Sequence, residues 1–195
     1  MSLEEPIEVS VEVARMLEAL GIEYLVGGSF ASSLHGHPRS TQDIDFVADV
    51  KPEHVTPLVA ALRQRFYFDE PAIHEAVSRR SSFNVIHLRT LFKVDVFVAG
   101  NDLPTRRELL RRQVYTLDID PPEDIVVASP EDIVVQKLHW YRLGDHVSER
   151  QWLDALNVLE VRGSELDHDY MRDLATHMGV ADLLRRILTQ AGLGE

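Results

Sequence analysis

One carboxylate constrains this chain more than any other residue. Asp95 interrupts Phe92-Lys93-Val94-Asp95-Val96-Phe97-Val98, a segment otherwise composed as a well-buried strand. An unpaired carboxylate is costly to bury, so Asp95 requires a metal, a partner or a raised pKa. A salt bridge to Lys93 on the same strand face, or to an arginine elsewhere, is the structural alternative to a ligand role. A second strand candidate, Asp43-Ile44-Asp45-Phe46-Val47, alternates polar and apolar residues. Strand side chains alternate faces, so Asp43 and Asp45 point the same way with their roots on the order of 7 Å apart. Such a pair repels itself unless a cation lies between, and two Mg²⁺ ions about 3.5 to 4 Å apart are a common use of it. Taken alone, Asp-x-Asp is a weak pattern, more often an exposed strand face than a metal site.

The run Glu23-Tyr24-Leu25-Val26 meets Gly27-Gly28-Ser29 and then Phe30-Ala31-Ser32-Ser33-Leu34, predicting a strand that turns directly into a helix with Ser29 at or near its start. A turn without β-carbons brings backbone N–H groups close to a phosphate at the positive end of a helix. The order matters more than the motif: one short helix separates this turn from Asp43-Ile44-Asp45.

Around these segments the spacing predicts an amphipathic first helix over 9–20 stopped by Gly21, and a helix opened by Thr56 as cap with Pro57 at its first position. Adjacent strands are predicted over 82–88 and 91–98. Past Pro121-Pro122 and the apolar Ile125-Val126-Val127 the chain reads as helical, with Ser129-Pro130-Glu131-Asp132 a strong helix start and further helices over 149–161, 168–177 and 180–191. The expectation is an α/β (α+β) mixed sheet flanked by helices over residues 1–122, and a C-terminal helical lobe over 123–195 that completes the site.

Composition narrows the chemistry. The 195 residues are 45% hydrophobic and 27% charged, as expected of a chain with a real core. There is no cysteine, which removes disulfides, thiolate metal sites and a cysteine nucleophile. A net charge of -12 argues against a broad phosphate-binding surface. The densest basic cluster, Arg106, Arg107, Arg111 and Arg112, reads as one side of a helix, either solvated or lining a local groove. Without a signal-peptide pattern or an apolar run of about 20 residues, the expected location is cytoplasmic, with no membrane partner.

Gly28-Ser29, thirteen residues to Asp43-Ile44-Asp45-Phe46, and then Asp95 within an apolar strand resemble the signature of the DNA polymerase β-type nucleotidyltransferase superfamily. The resemblance spans roughly residues 20 to 100. It implies that Gly28 and Ser29 hold a nucleoside triphosphate (NTP), that Asp43, Asp45 and Asp95 form a catalytic triad of ligands for Mg²⁺ (or Mn²⁺), and that Asp95 helps activate the attacking hydroxyl. Ser129 to Leu138, with Lys137, followed by Arg150 and Asp154, is similar to the AbiEii-like (abortive-infection toxin-like) branch, where the lysine contacts nucleotide phosphate. Gln151 stands where that pattern has its first acid, leaving Asp154 alone.

Lys137 also has its own physical case: it falls within the apolar arc of Ile133, Val134, Leu138, Trp140 and Tyr141, so it must meet an anion or snorkel to solvent. Asp154 has a ready surface partner in Arg150, four residues earlier. Arg39 and Thr41, just upstream of the acids, are further candidates for phosphate contact, whereas His35 and His37 read as solvated loop residues. The function expected is transfer of a nucleoside monophosphate (NMP) from an NTP to an acceptor hydroxyl on an RNA end, a protein or a small molecule. The alternative is a non-catalytic nucleotide-binding module or an antitoxin-like partner protein with the same fold, and a partner protein is among the partners expected.

Overall fold

A computed structural model describes residues 4–194. The described residues divide into two compact units. The first runs through Phe30 and then takes Ser40–Val127; the second takes Ala31–Arg39 and the chain from Ala128 onward.

The first unit is built on a seven-stranded mixed sheet. Helix α1 (Glu4–Ala19) precedes strand β1 (Tyr24–Val26), which passes through Gly27 into α2 (Gly28–His35), whose first three residues belong to this unit. Then follow β2 (Asp43–Ala48), α3 (Pro52–Leu62), β3 (Phe66–Phe68), α4 (Glu70–Arg79), β4 (Ser82–His87), β5 (Lys93–Val98), α5 (Leu103–Arg111), β6 (Gln113–Leu117) and β7 (Glu123–Val127). The sheet order is β3-β4-β5-β2-β1-β7-β6, with β2 parallel to β5, β1 parallel to β7 and the remaining pairs antiparallel. The alternation of β2 and β5 explains their central place. Ile44, Phe46, Ala48, Val94, Val96 and Val98 are buried on one face, and the acids share the other.

Local chemistry sets most boundaries. Asp69 caps α4 by accepting from Ala72 N, and Asp102 caps α5 by accepting from Thr105 N. Helix α3 starts earlier than the Thr56-Pro57 signal predicts: Lys51 is its N-cap, Pro52 opens it, and Pro57 lies inside. Pro57 cannot donate to the preceding turn, but burial of Val55, Leu58, Val59 and Leu62 along one face holds the helix through it. The arginine cluster sits on and just after α5 and is largely tied down. Arg106 donates to Asn101 at 2.7 Å and lies 3.7 Å from Asp49, while Arg112 is 3.2 Å from Glu23.

Beyond its share of α2, the second unit is helical: α6 (Pro130–Leu143), α7 (Glu149–Arg162), α8 (His168–His177) and α9 (Ala181–Gln190). Ser129 caps α6, accepting from Asp132 N at 3.2 Å. The buried Asp132 carboxylate accepts from both Ser129 Oγ and Tyr170 Oη at 2.6 Å, joining the α6 start to α8. Ile133, Leu138, Leu159, Met171, Leu174 and Ile187 form the core between these helices. Among the described residues no helix is long and apolar enough to cross a membrane.

Candidate active site

The parallel pairing of β2 with β5 places Asp45 directly opposite Asp95 and Asp43 opposite Lys93. Side chains two apart on a strand share a face, so Asp43, Asp45, Lys93 and Asp95 form a two-by-two block in the middle of the sheet. All three carboxylates are half-buried. On the far side of β5, Asn84 stands opposite Asp95.

Three contacts shape the block. Thr41, itself buried, donates its hydroxyl toward Asp43, 2.9 Å from the main-chain oxygen and 3.2 Å from Oδ1, so it orients the first carboxylate. Gly27 N donates to Asp45 O at 2.8 Å, holding the glycine turn against β2. Gly28 then starts α2 at φ +58, and a β-carbon there would stand 1.8 Å from Asp45 Oδ2. The Asp45 carboxylate therefore occupies the space that only a glycine leaves open, beside the N-terminal turn carrying Ser29.

Asp95 resolves its burial through Lys93, whose Nζ is 2.7 Å from its Oδ2. The hydrogen bond to Asp95 raises the Lys93 pKa above its ordinary value, burial opposes it, and the charges of Asp95, Asp43 and Asp45 add to the rise. The ammonium thus feels all three acids. The donor set, three hard carboxylates with no soft ligand, is of the kind Mg²⁺ or Mn²⁺ takes, and the cation beside it in the structure is Lys93. Among the described residues no group of three His, Asp or Glu side chains is drawn together closely enough to hold a metal ion.

The second unit contains a different polar centre. Asp154, on α7, accepts from Arg39 Nε and Nη2 at 2.7 Å each, and Lys137 Nζ lies 2.9 Å from its Oδ2. Arg150 is not its partner, and Lys137 does not snorkel: its side chain is 4% exposed, against 3% for Asp154. Burial pushes the Asp154 carboxyl upward, but the hydrogen bonds and charges of Arg39 and Lys137 outweigh it and hold its pKa below the ordinary carboxylate value. The geometry joins three residues from separate stretches, Arg39, Lys137 and Asp154. His35 is not a solvated loop residue. It ends α2, buried, with Nε2 2.8 Å from Ala128 O, and burial lowers its pKa.

The salt bridge from Lys93 to Asp95, the structural alternative to a ligand role, is the contact the fold makes. The position of Lys93 two before Asp95 was the available signal, since that spacing alone puts both on one face.

Neither a protein-family model nor a curated protein matches the chain. Solved structures do. An antigenic nucleotidyltransferase-like protein from Paracoccidioides brasiliensis is 21% identical, over 98% of this chain and 93% of that one, with a TM-score of 0.63. ANT(2'')-Ia in complex with adenylyl-2''-tobramycin is 12% identical over 91% and 97%, TM-score 0.53. The lincomycin-bound lincosamide antibiotic adenylyltransferase LnuA is 10% identical over 83% and 98%, TM-score 0.51. The chain has a nucleotidyltransferase-like fold.

Proposed function

We propose that the protein is an enzyme that transfers an NMP group from an NTP to an acceptor hydroxyl. The observation that carries this reading is the block of carboxylates: Asp45 opposite Asp95, Asp43 on the same face, and the Asp45 carboxylate packed against the Gly28 start of a helix. Gly28 and Ser29 present helix N-terminal N–H groups to the distal phosphates, where the helix dipole favours negative charge. Asp95 accepts the proton of the attacking hydroxyl. The acceptor oxygen bonds to the α-phosphorus as the bond to the leaving pyrophosphate breaks. Mg²⁺ or Mn²⁺ held by Asp43, Asp45 and Asp95 would neutralise charge developing on the triphosphate. Thr41 acts through Asp43 as a positioning residue. Arg39 and Lys137 are candidates for phosphate contact on their charge alone, and each would first have to leave Asp154, which holds both heads.

The AbiEii-like placement rests on the Ser129 to Leu138 pattern with Lys137, and Asp154 supports it by engaging that lysine. Two structural neighbours are described with antibiotics, lincomycin and a tobramycin adduct. Small-molecule hydroxyls therefore stand beside RNA ends and protein side chains as acceptors. The Lys93–Asp95 ion pair favours a second reading, a nucleotide-binding module without turnover, because it supplies a cation without metal.

Replacing Asp43 or Asp45 by Asn separates these readings from a purely structural role. Either variant should lose Mg²⁺-dependent NTP binding by calorimetry and melt at or slightly above the wild-type temperature, since one of the mutually repelling charges is gone. Wild-type binding in both variants would remove the acids from the site. Labelled NTPs offered with total RNA, a protein lysate and an aminoglycoside panel identify the acceptor class, with Asp43→Asn as the control.

A further inference from the structure

We propose that Lys93 is a built-in counter-cation that competes with the divalent metal for Asp95, so that the site opens to metal only when Lys93 gives up that carboxylate. The inference rests on the proposed metal-binding role of the three acids and concerns how that role is regulated.

Three half-buried carboxylates on adjacent strands repel one another, and an isolated block of this kind would weaken the sheet at its centre. Lys93 relieves the repulsion from within. Its register partner is Asp43, its neighbour on the same face is Asp95, and Asp45 lies diagonally across. The ammonium sits 2.7 Å from Asp95 Oδ2. A cation there offsets the charge of the acids in the resting protein and occupies one oxygen of Asp95. The side chain is 46% exposed, so it has room to leave. A flexible ammonium on a four-carbon stem can do so without moving the strand. Once released, Lys93 is a mobile positive charge at the edge of the acid block, placed to meet an oxygen of an incoming triphosphate. The arrangement makes metal entry and triphosphate entry mutually favourable, because the triphosphate offers Lys93 the anion it loses.

The test is Mn²⁺ binding to the full chain, followed by electron paramagnetic resonance and calorimetry, for wild type, Lys93→Met and Lys93→Arg. Circular dichroism establishes that each variant is folded. A partly exposed ion pair contributes modestly, so Lys93→Met should tighten Mn²⁺ binding about threefold to fivefold, while Lys93→Arg stays near wild type. Metal-free Lys93→Met should also melt below wild type and regain the difference on adding Mn²⁺. Adding a non-hydrolysable NTP should strengthen Mn²⁺ binding more in wild type than in Lys93→Met. If wild type binds Mn²⁺ and Lys93→Met binds it no more tightly, the competition is refuted while the metal site stands. If none of the three proteins binds Mn²⁺, the metal reading of the acids falls and this inference with it.

Discussion

Asp154→Ala should destabilise the protein by about 3 to 5 kcal/mol, the usual cost of removing one partner from a buried ion pair. That is a large share of a typical domain's stability and lowers a melting temperature by on the order of 10 °C. The cost falls mainly on Lys137, which is nearly sealed from solvent, because Arg39 is partly exposed and can turn to water. Replacing both Asp154 by Leu and Lys137 by Met should recover much of the loss, since the uncompensated charge then disappears. A change of under 1 kcal/mol in Asp154→Ala, measured by thermal and urea melts, would show that this centre does not hold the helical unit together. The pH dependence has a definite sign. The Asp154 pKa is lower in the folded protein than in the unfolded chain, where it is about 3.9. Its stabilisation is therefore complete above the unfolded value and is lost as pH falls through the folded one. Melts from neutral pH down to about pH 3 should show a steeper fall for wild type than for Asp154→Ala.

Gly28→Ala should cost little stability and nearly all function. At φ +58 an alanine is strained by roughly 1 to 2 kcal/mol. Its β-carbon would stand 1.8 Å from Asp45 Oδ2, 2.6 Å from its Cγ and 3.0 Å from its Cβ, so the carboxylate must turn away and the root of the side chain must give by a few tenths of an ångström. Asp45 would therefore rotate out of the carboxylate block while the fold survives. A displacement of about 1 Å in a catalytic group can cost a hundredfold in rate, so turnover should fall by about that factor with the melting temperature changed by only a few degrees. Full activity in Gly28→Ala would mean that Asp45 has no fixed role.

The parts of this structure that are local in sequence were legible. The alternation of Asp43 to Val47, the glycine turn before α2 and the Ser129-Pro130 helix start each depend on neighbours a few residues away, and each appears where that chemistry puts it. Strand β3 is not legible in the sequence because three residues, Phe66 to Phe68, are too few for a period to show. Helix α4 carries a readable signal, Asp69 followed by Glu70 and Pro71. Pro57 misled because a proline marks the start of a helix only where burial does not carry the helix through it. Pairings distant in sequence could not be read from composition or spacing, and only the family resemblance grouped Asp95 with Asp43 and Asp45. The Asp45–Asp95 register depends on which strands become neighbours, and Arg39 meets Asp154 across 115 residues. For Lys137 the sequence posed the right question, an anion or solvent, and only the fold supplied the anion.

The central claim is tested most directly by following the two ends of a labelled nucleotide. Wild type and Asp45→Asn are incubated with Mg²⁺, the acceptor panel, and ATP labelled either at the α- or at the γ-phosphate. The account predicts that α-label becomes covalently attached to acceptor, that γ-label leaves as pyrophosphate, and that both events vanish in Asp45→Asn. Transfer of γ-label to acceptor would make the protein a phosphotransferase, and α-label transfer that persists in Asp45→Asn would contradict the role given to the carboxylate block.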